Sequence, residues 1–216
     1  METGLVQTTE TPTKGRARGR PGGAGYAEYL LVLYPDGELR DRLLEEQQQF
    51  SADYGLDHRL DRGQRIDDDI FGRNKPHITL ASFQAGEEME DTLIRWMQRI
   101  CQQFRSFDIA LNNFSGIPPH SICLRVQDTG RLSEWMQQLG AIDEFIRSSG
   151  WPPVQLSGRP YLSIAGGLTE KVYNKAMPDY SRKTFFGIFR VTGLLLLKRK
   201  HSFDPCKTVN VFGLKN

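Results

Sequence analysis

The sequence predicts a two-lobed fold of mixed strands and helices. Short apolar or alternating segments, typical of strands, are interspersed with segments whose apolar residues recur at helical spacing. The order of these segments repeats once along the chain, and each copy contains a strand led by proline, at Pro76 and at Pro160. Two lobes of like topology place equivalent strands across a shared cleft, where ligands tend to bind.

Length and composition are those of an ordinary globular protein. A chain of 216 residues, of which 38% are hydrophobic, can bury a substantial core. The net charge of +2 is too small to indicate nucleic-acid binding over the whole surface. The cysteines lack metal-ligand spacing, the N-terminus lacks an apolar signal core, and no apolar run approaches the ~18 residues of a membrane span. We therefore expect a soluble, cytoplasmic protein that does not contact a membrane.

The N-terminal residues 1–25 are rich in Thr, Gly and Arg. Such a segment buries too little apolar surface to offset its ordering entropy, so we expect a disordered tail. A weak phosphate-binding arm is the alternative. Residues 26–216 are expected to form one folded domain, with lobes built mainly from 26–117 and 118–216.

The first half of this domain is predicted to contain three strands, with one helix between each successive pair. The apolar run 29–34 predicts a buried strand, and apolar residues at helical spacing predict an amphipathic helix over about 36–54. The proline-led strand follows at 75–83. A helix around Trp96 and an alternating strand at 107–114 complete the half.

The second half repeats that order. A strand is expected at 121–126, one helix over about 132–146, the proline-led strand at 159–167 and a short helix over 170–177. Further strands are expected at 185–191, 193–200 and 209–212.

The first proline-led strand carries the most distinctive chemistry. Because strand side chains alternate between faces, His77 is expected to share one face with Thr79, Ala81 and Phe83, and the face carrying Ile78 suits a core. An imidazole beside a hydroxyl can hydrogen-bond a phosphate and exchange a proton with it. The sequence therefore predicts half of an active site on this strand.

Two motifs together resemble a known family. Pro76-His77-Ile78-Thr79-Leu80 and Pro160-Tyr161-Leu162-Ser163-Ile164 resemble the paired motifs of the two-histidine (2H) phosphoesterase superfamily, and are most similar to its 2′-5′ RNA ligase-like, or LigT-like, branch. The family signature is His-x-Thr/Ser, once per lobe. The first copy is complete, whereas Tyr161 occupies the histidine position of the second. The resemblance extends over about residues 26–216 through the order of the elements.

The resemblance implies an α+β fold in which two antiparallel sheets face a central groove, with helices on the outside. It implies chemistry without metal or cofactor on 2′,3′-cyclic phosphates or 2′-5′ phosphodiester bonds. The partners would be RNA ends or small nucleotides, and we expect a monomer. By this resemblance the site comprises His77, Thr79, Tyr161 and Ser163, with one imidazole taking a proton and a second donating one.

Tyr161 makes that mechanism incomplete. An unperturbed phenol has a pKa of about 10, so it can donate a hydrogen bond to phosphate but is a poor general base. Loss of one acid–base partner removes about 10²–10⁴-fold in rate. Three interpretations stay open: an impaired phosphodiesterase, a non-catalytic RNA- or nucleotide-binding module, and an interaction domain in which the motifs are coincidental.

Other residues carry weaker signals. Phe114, Trp151 and Tyr173 can each stack on a nucleobase, although core packing is the commoner use of an aromatic residue. The basic run 198–200 suits either phosphate attraction or simple solvation. The acidic run 67–69 lacks an alternating ligand pattern and is interpreted as a solvated loop.

Overall fold

The computed structural model describes residues 25–55, 75–127, 130–200 and 204–216. The predicted tail, apart from Gly25, and the acidic run 67–69 lie outside the described residues. The helices and strands, in chain order, are β1 (Tyr26–Leu33), α1 (Gly37–Tyr54), β2 (Ile78–Gly86), α2 (Glu90–Cys101), β3 (Phe107–Ile117), β4 (Ser121–Gln127), α3 (Arg131–Gln138), α4 (Gly140–Ser148), β5 (Gln155–Leu156), β6 (Tyr161–Ala165), α5 (Glu170–Tyr180), β7 (Phe186–Val191), β8 (Gly193–Arg199) and β9 (Lys207–Gly213).

The strands form one curved antiparallel system with the order β7-β3-β4-β6-β2-β1-β8-β9, and β5 pairs with β2 beside this path. Two four-stranded halves, β7-β3-β4-β6 and β2-β1-β8-β9, meet where β6 pairs with β2 through Ile78 and Leu162. The predicted α+β class with antiparallel halves is confirmed.

The two halves of the sheet interleave along the chain. β3 pairs with β4 and β7, and the last strands, β8 and β9, return to pair beside β1. The strand pairing therefore does not follow the expected lobes 26–117 and 118–216, because the C-terminal hairpin of β8 and β9 completes the half of the sheet that contains β1.

The predicted helix over 132–146 is two helices. α3 ends at Gln138 and α4 begins at Gly140, with Leu139 capping both helices between them. Glycine is about 1 kcal/mol less favourable than alanine inside a helix, which suits a break at this position. The apolar periodicity continues across the break, with Leu132, Trp135, Ile142 and Ile146 all buried, and this continuity made one helix the simpler expectation.

A β-bulge alters the faces of β2. The pairing with β1 shifts register so that Leu31 lies opposite Ala81 and Val32 lies opposite Thr79. The extra residue on β2 reverses the alternation beyond it. Ala81 and Phe83 are therefore buried in the core, and the prediction that they share a face with His77 and Thr79 is wrong.

Candidate active site

The two proline-led strands meet at a cavity of about 390 Å³ in the middle of the sheet. All four residues that the sequence singled out line it: His77 and Thr79 from β2 and its approach, and Tyr161 and Ser163 from β6. The rest of the lining comprises Leu80, Ala81, Ser82, Gln155, Leu156 and Ser157.

The pairing of β2 with β6 fixes how the two motifs face each other. Ile78 is the partner of Leu162, and both side chains are fully buried. Continued by one residue in each direction, this antiparallel register sets His77 opposite Ser163 and Thr79 opposite Tyr161. His77 and Tyr161 are then diagonal neighbours, and in regular antiparallel ladders such residues lie about 7–8 Å apart, with their Cβ atoms somewhat closer. A phosphate between them can meet the imidazole and the phenol from opposite sides.

The ring of His77 is held in one tautomer by the backbone. Its Nδ1 lies 2.8 Å from the carbonyl oxygen of Lys75. Because a carbonyl oxygen only accepts hydrogen bonds, Nδ1 carries the hydrogen of the neutral ring and the lone pair is on Nε2. The ring of Tyr34 lies 5.7 Å away, centroid to centroid, and helps to fix the imidazole plane.

Burial sets the protonation state of His77. The side chain is partly buried, and loss of solvation lowers the pKa of His77 below its ordinary value, while the hydrogen bond to Lys75 opposes this shift. The neutral form therefore dominates at pH 7, and this form can accept a proton.

The second motif is anchored from the helix side. The side-chain amide of Gln47, on α1, donates to the carbonyl oxygen of Ser163 at 3.1 Å. Tyr161, at the start of β6, keeps 39% of its surface exposed and lies beside Arg125 of β4. The phenol is therefore open to a ligand arriving from solvent.

Sequence similarity identifies the family. A sequence model described as the 2′-5′ RNA ligase superfamily matches residues 47–202, which include both motifs. The chain belongs to this superfamily. No curated protein sequence matches the chain significantly.

Several solved structures have a fold similar to that of this chain. The protein TT0787 of Thermus thermophilus superposes with a TM-score of 0.58 at 16% identity, over 88% of this chain and 98% of that one. E. coli LigT complexed with 3′-AMP gives a TM-score of 0.56 at 14% identity, over 89% and 100%. A structure described as a phosphoesterase gives 0.53 at 14%, over 88% and 99%. At these identities the likeness establishes the fold.

Three polar residues of the cavity were not anticipated. Ser82 reaches the groove because of the bulge in β2, which no periodicity reveals. Gln155 and Ser157 enter through β5, whose two residues are too few to show alternation. The polar–apolar–polar pattern of Gln155-Leu156-Ser157 after the paired prolines was the one available signal.

Two of the three aromatic residues considered for base stacking are core residues. Phe114 and Tyr173 are less than a tenth exposed. Trp151 is partly buried and packs near Tyr26. Of the basic run 198–200, Lys198 pairs with Glu90, and Arg199 hydrogen-bonds Glu28 at 2.8 Å. These two cations are therefore engaged within the protein.

Within the described ranges, no group of three His, Cys, Asp or Glu side chains is arranged to hold a metal ion. Among the helices described, none has the length and apolar character needed to cross a membrane.

Proposed function

We propose that this protein is a 2H phosphodiesterase that acts on 2′,3′-cyclic phosphates or 2′-5′ linkages of RNA ends or nucleotides, at a rate reduced by Tyr161. The observation that carries the proposal is the meeting of both motifs in one cavity: His77, Thr79, Tyr161 and Ser163 all line it. Its volume of about 390 Å³ lies within the range of small-ligand sites.

His77 acts as the general base. Its Nε2 lone pair takes a proton from water as the water oxygen attacks phosphorus, and the bond from phosphorus to a ribose oxygen breaks. Tyr161 donates its phenolic proton to that leaving oxygen. The proton on His77 then returns to Tyr161 through solvent, which restores both groups and leaves a phosphomonoester and a free ribose hydroxyl.

The hydroxyls of Thr79 and Ser163 bind the non-bridging phosphoryl oxygens. Each lies beside an acid–base residue of the other motif, so donors are present on both sides of the phosphate. Their hydrogen bonds strengthen as negative charge builds on those oxygens in the transition state. Ser82 and Ser157 add hydroxyl groups at the same cavity.

Nucleotides are the proposed ligand class. Structures of E. coli LigT, which shares the fold, are described as complexes with 3′-AMP, NADP⁺ and ATP. The cavity of the present chain offers the polar groups that a nucleotide phosphate requires.

A non-catalytic RNA- or nucleotide-binding module is the second candidate. The phenol of Tyr161 supports it, because a phenol binds phosphate by hydrogen bonding but exchanges protons near neutral pH less readily than imidazole. In that case the groove keeps its affinity for nucleotides without turnover.

The test is product formation from 2′,3′-cyclic nucleotides and 2′-5′-linked dinucleotides in the presence of a chelator, with nucleotide binding followed by calorimetry. Slow release of a phosphomonoester, or cleavage of the 2′-5′ bond, that His77→Gln abolishes supports the enzyme. Binding without turnover supports the second candidate. Absence of both activities contradicts both candidates. An Arg182→Ala variant, exposed beyond α5, is the matched control.

A further inference from the structure

A second polar surface continues from the cavity across the half-sheet β7-β3-β4-β6. Paired residues of adjacent antiparallel strands point to the same face. Tyr161 pairs with Arg125, Arg125 with Asn112, and Asn112 with Phe186. These four residues therefore form one row that runs from the cavity to the edge strand β7, and we call it the edge row.

The edge row lies on the face of the half-sheet that α1 does not cover. The neighbouring row, which points the other way, contains Leu111 and Gly187. A Cβ atom on Gly187 would clash with the side chain of Leu39 on α1, so that helix packs directly against this opposite face. The edge row is consequently turned away from α1.

The side chains of this surface are unusual for a sheet face of a globular protein. Phe186 is 57% exposed, and Ile188, one row further, is 56% exposed. Arg125 is exposed, and none of the described residues forms an ion pair with it. Arg190 and Asp108, beyond Ile188, hold each other at 3.5 Å. The result is an exposed ring, a cation without an acidic partner and an amide in line with the cavity.

We propose that the edge row binds the nucleotides of a single-stranded RNA adjacent to the phosphate held in the cavity. Phe186 stacks on a base, Arg125 binds a backbone phosphate, and Asn112 hydrogen-bonds a base edge or ribose hydroxyl. The row crosses three strand spacings, about 14 Å. Four-stranded antiparallel sheets with exposed aromatic residues bind about two or three bases in this manner. This inference rests on the proposed function: of the RNA ends and nucleotides named there it favours RNA, and it locates the residues that bind the chain beyond the terminal nucleotide.

The surface fits RNA better than a protein partner. Its large exposed apolar side chains, Phe186 and Ile188, make a smaller apolar area than a stable protein interface requires. The carbonyl oxygen of Phe186 accepts a hydrogen bond from Arg42 at 3.1 Å, which occupies a group that edge-to-edge strand pairing would use. The row is also continuous with the cavity, as a strand of RNA leaving that cavity requires.

The experiment compares a short and a long ligand. Affinities of the wild-type protein for 3′-AMP and for a fluorescent hexaribonucleotide ending in a 3′-phosphate are measured by competition and by anisotropy. Phe186→Leu removes the ring but keeps an apolar side chain, Phe186→Trp keeps a ring, and Arg125→Ala removes the cation. Val211→Ala, on the exposed edge strand β9, is the control for truncating a surface apolar residue.

We expect the hexanucleotide to bind more tightly than 3′-AMP. Phe186→Leu and Arg125→Ala should each weaken hexanucleotide binding about tenfold and leave 3′-AMP binding unchanged, whereas Phe186→Trp and Val211→Ala should retain wild-type affinity. Equal affinities of the wild-type protein for both ligands, or equal losses for both ligands in the variants, would overturn the proposal. So would a concentration-dependent dimer, seen by sedimentation, that Phe186→Leu dissociates without changing RNA affinity.

The outcomes for the cavity and for the edge row are separable, because binding is measured without turnover. A wild-type protein that hydrolyses cyclic mononucleotides but binds the hexanucleotide no more tightly than 3′-AMP rejects the edge row alone. A preference that Phe186→Leu removes, in a protein that hydrolyses nothing, supports the edge row and rejects the proposed catalysis.

Discussion

Ile78 and Leu162, the middle residues of the two motifs, are paired with each other at the seam between the halves of the sheet. Both side chains are fully buried, and the residues that flank them line the cavity. The same contact that joins the two halves therefore brings the two motifs together. The packing of Ile78 against Leu162 therefore determines how the residues that line the cavity are positioned.

The first prediction concerns that link. Leu162→Ala should lower the free energy of unfolding by about 2–5 kcal/mol, since it leaves a cavity in the core. It should also weaken nucleotide binding, because β6 loses its fixed position beside β2. Denaturant unfolding and calorimetric titration with 3′-AMP measure the two effects.

Leu93→Ala is the matched control, because Leu93 is equally buried but lies on α2. It should cost a similar free energy of unfolding and leave 3′-AMP affinity near that of the wild type. If both variants bind 3′-AMP as the wild type does, the seam does not position the site.

The second prediction is the pH dependence of turnover. Burial lowers the pKa of His77 in the folded protein. A general base must be neutral, so kcat/KM for a cyclic nucleotide should rise as pH increases through that pKa, and the midpoint of this rise should lie below the ordinary histidine value of about 6.5. A rate that instead falls with increasing pH over this range would assign His77 the role of acid.

The third prediction concerns stability. Because the folded pKa of His77 lies below the unfolded value, the unfolded chain binds more protons between the two. The contribution of His77 to stability is therefore complete above about pH 6.5 and declines as pH falls toward the folded pKa. Unfolding in denaturant at a series of pH values measures it.

His77→Gln should reduce this loss of stability on acidification, since glutamine does not titrate. Val211→Ala, on the exposed edge strand β9, is the control, because it removes no titratable group, and it should leave the pH dependence as in the wild type. Identical pH dependence in the wild type and His77→Gln would mean that His77 is solvated as in the unfolded chain.

Much of the fold follows from residue periodicity, and the parts that do not have physical causes. The buried run of β1 and the amphipathic faces of α1 and α2 were predictable because burial follows from apolar spacing along each element. The bulge in β2 was not, since it depends on pairing with β1. The pairing of β1 with β8, in the last hairpin, is likewise a long-range contact that the local sequence does not encode.

The candidate site was predictable to the extent that its residues lie in motifs. His77, Thr79, Tyr161 and Ser163 come from two repeated strands, and the structure places them at one cavity. Phe186 was assigned only to a strand, because alternation does not reveal whether its outward face is covered. That depends on where α1 packs.

The most direct test of the account is hydrolysis of a 2′,3′-cyclic nucleotide by the wild type, Tyr161→His, Tyr161→Phe and the double variant His77→Gln/Tyr161→His, with circular dichroism to verify folding. If Tyr161 holds the position of the second proton-transfer group, Tyr161→His should be about 10²–10⁴-fold faster than the wild type. Tyr161→Phe should be slower than the wild type, and the double variant should lose the gain. No gain in a folded Tyr161→His protein, or a gain that persists without His77, would contradict the account.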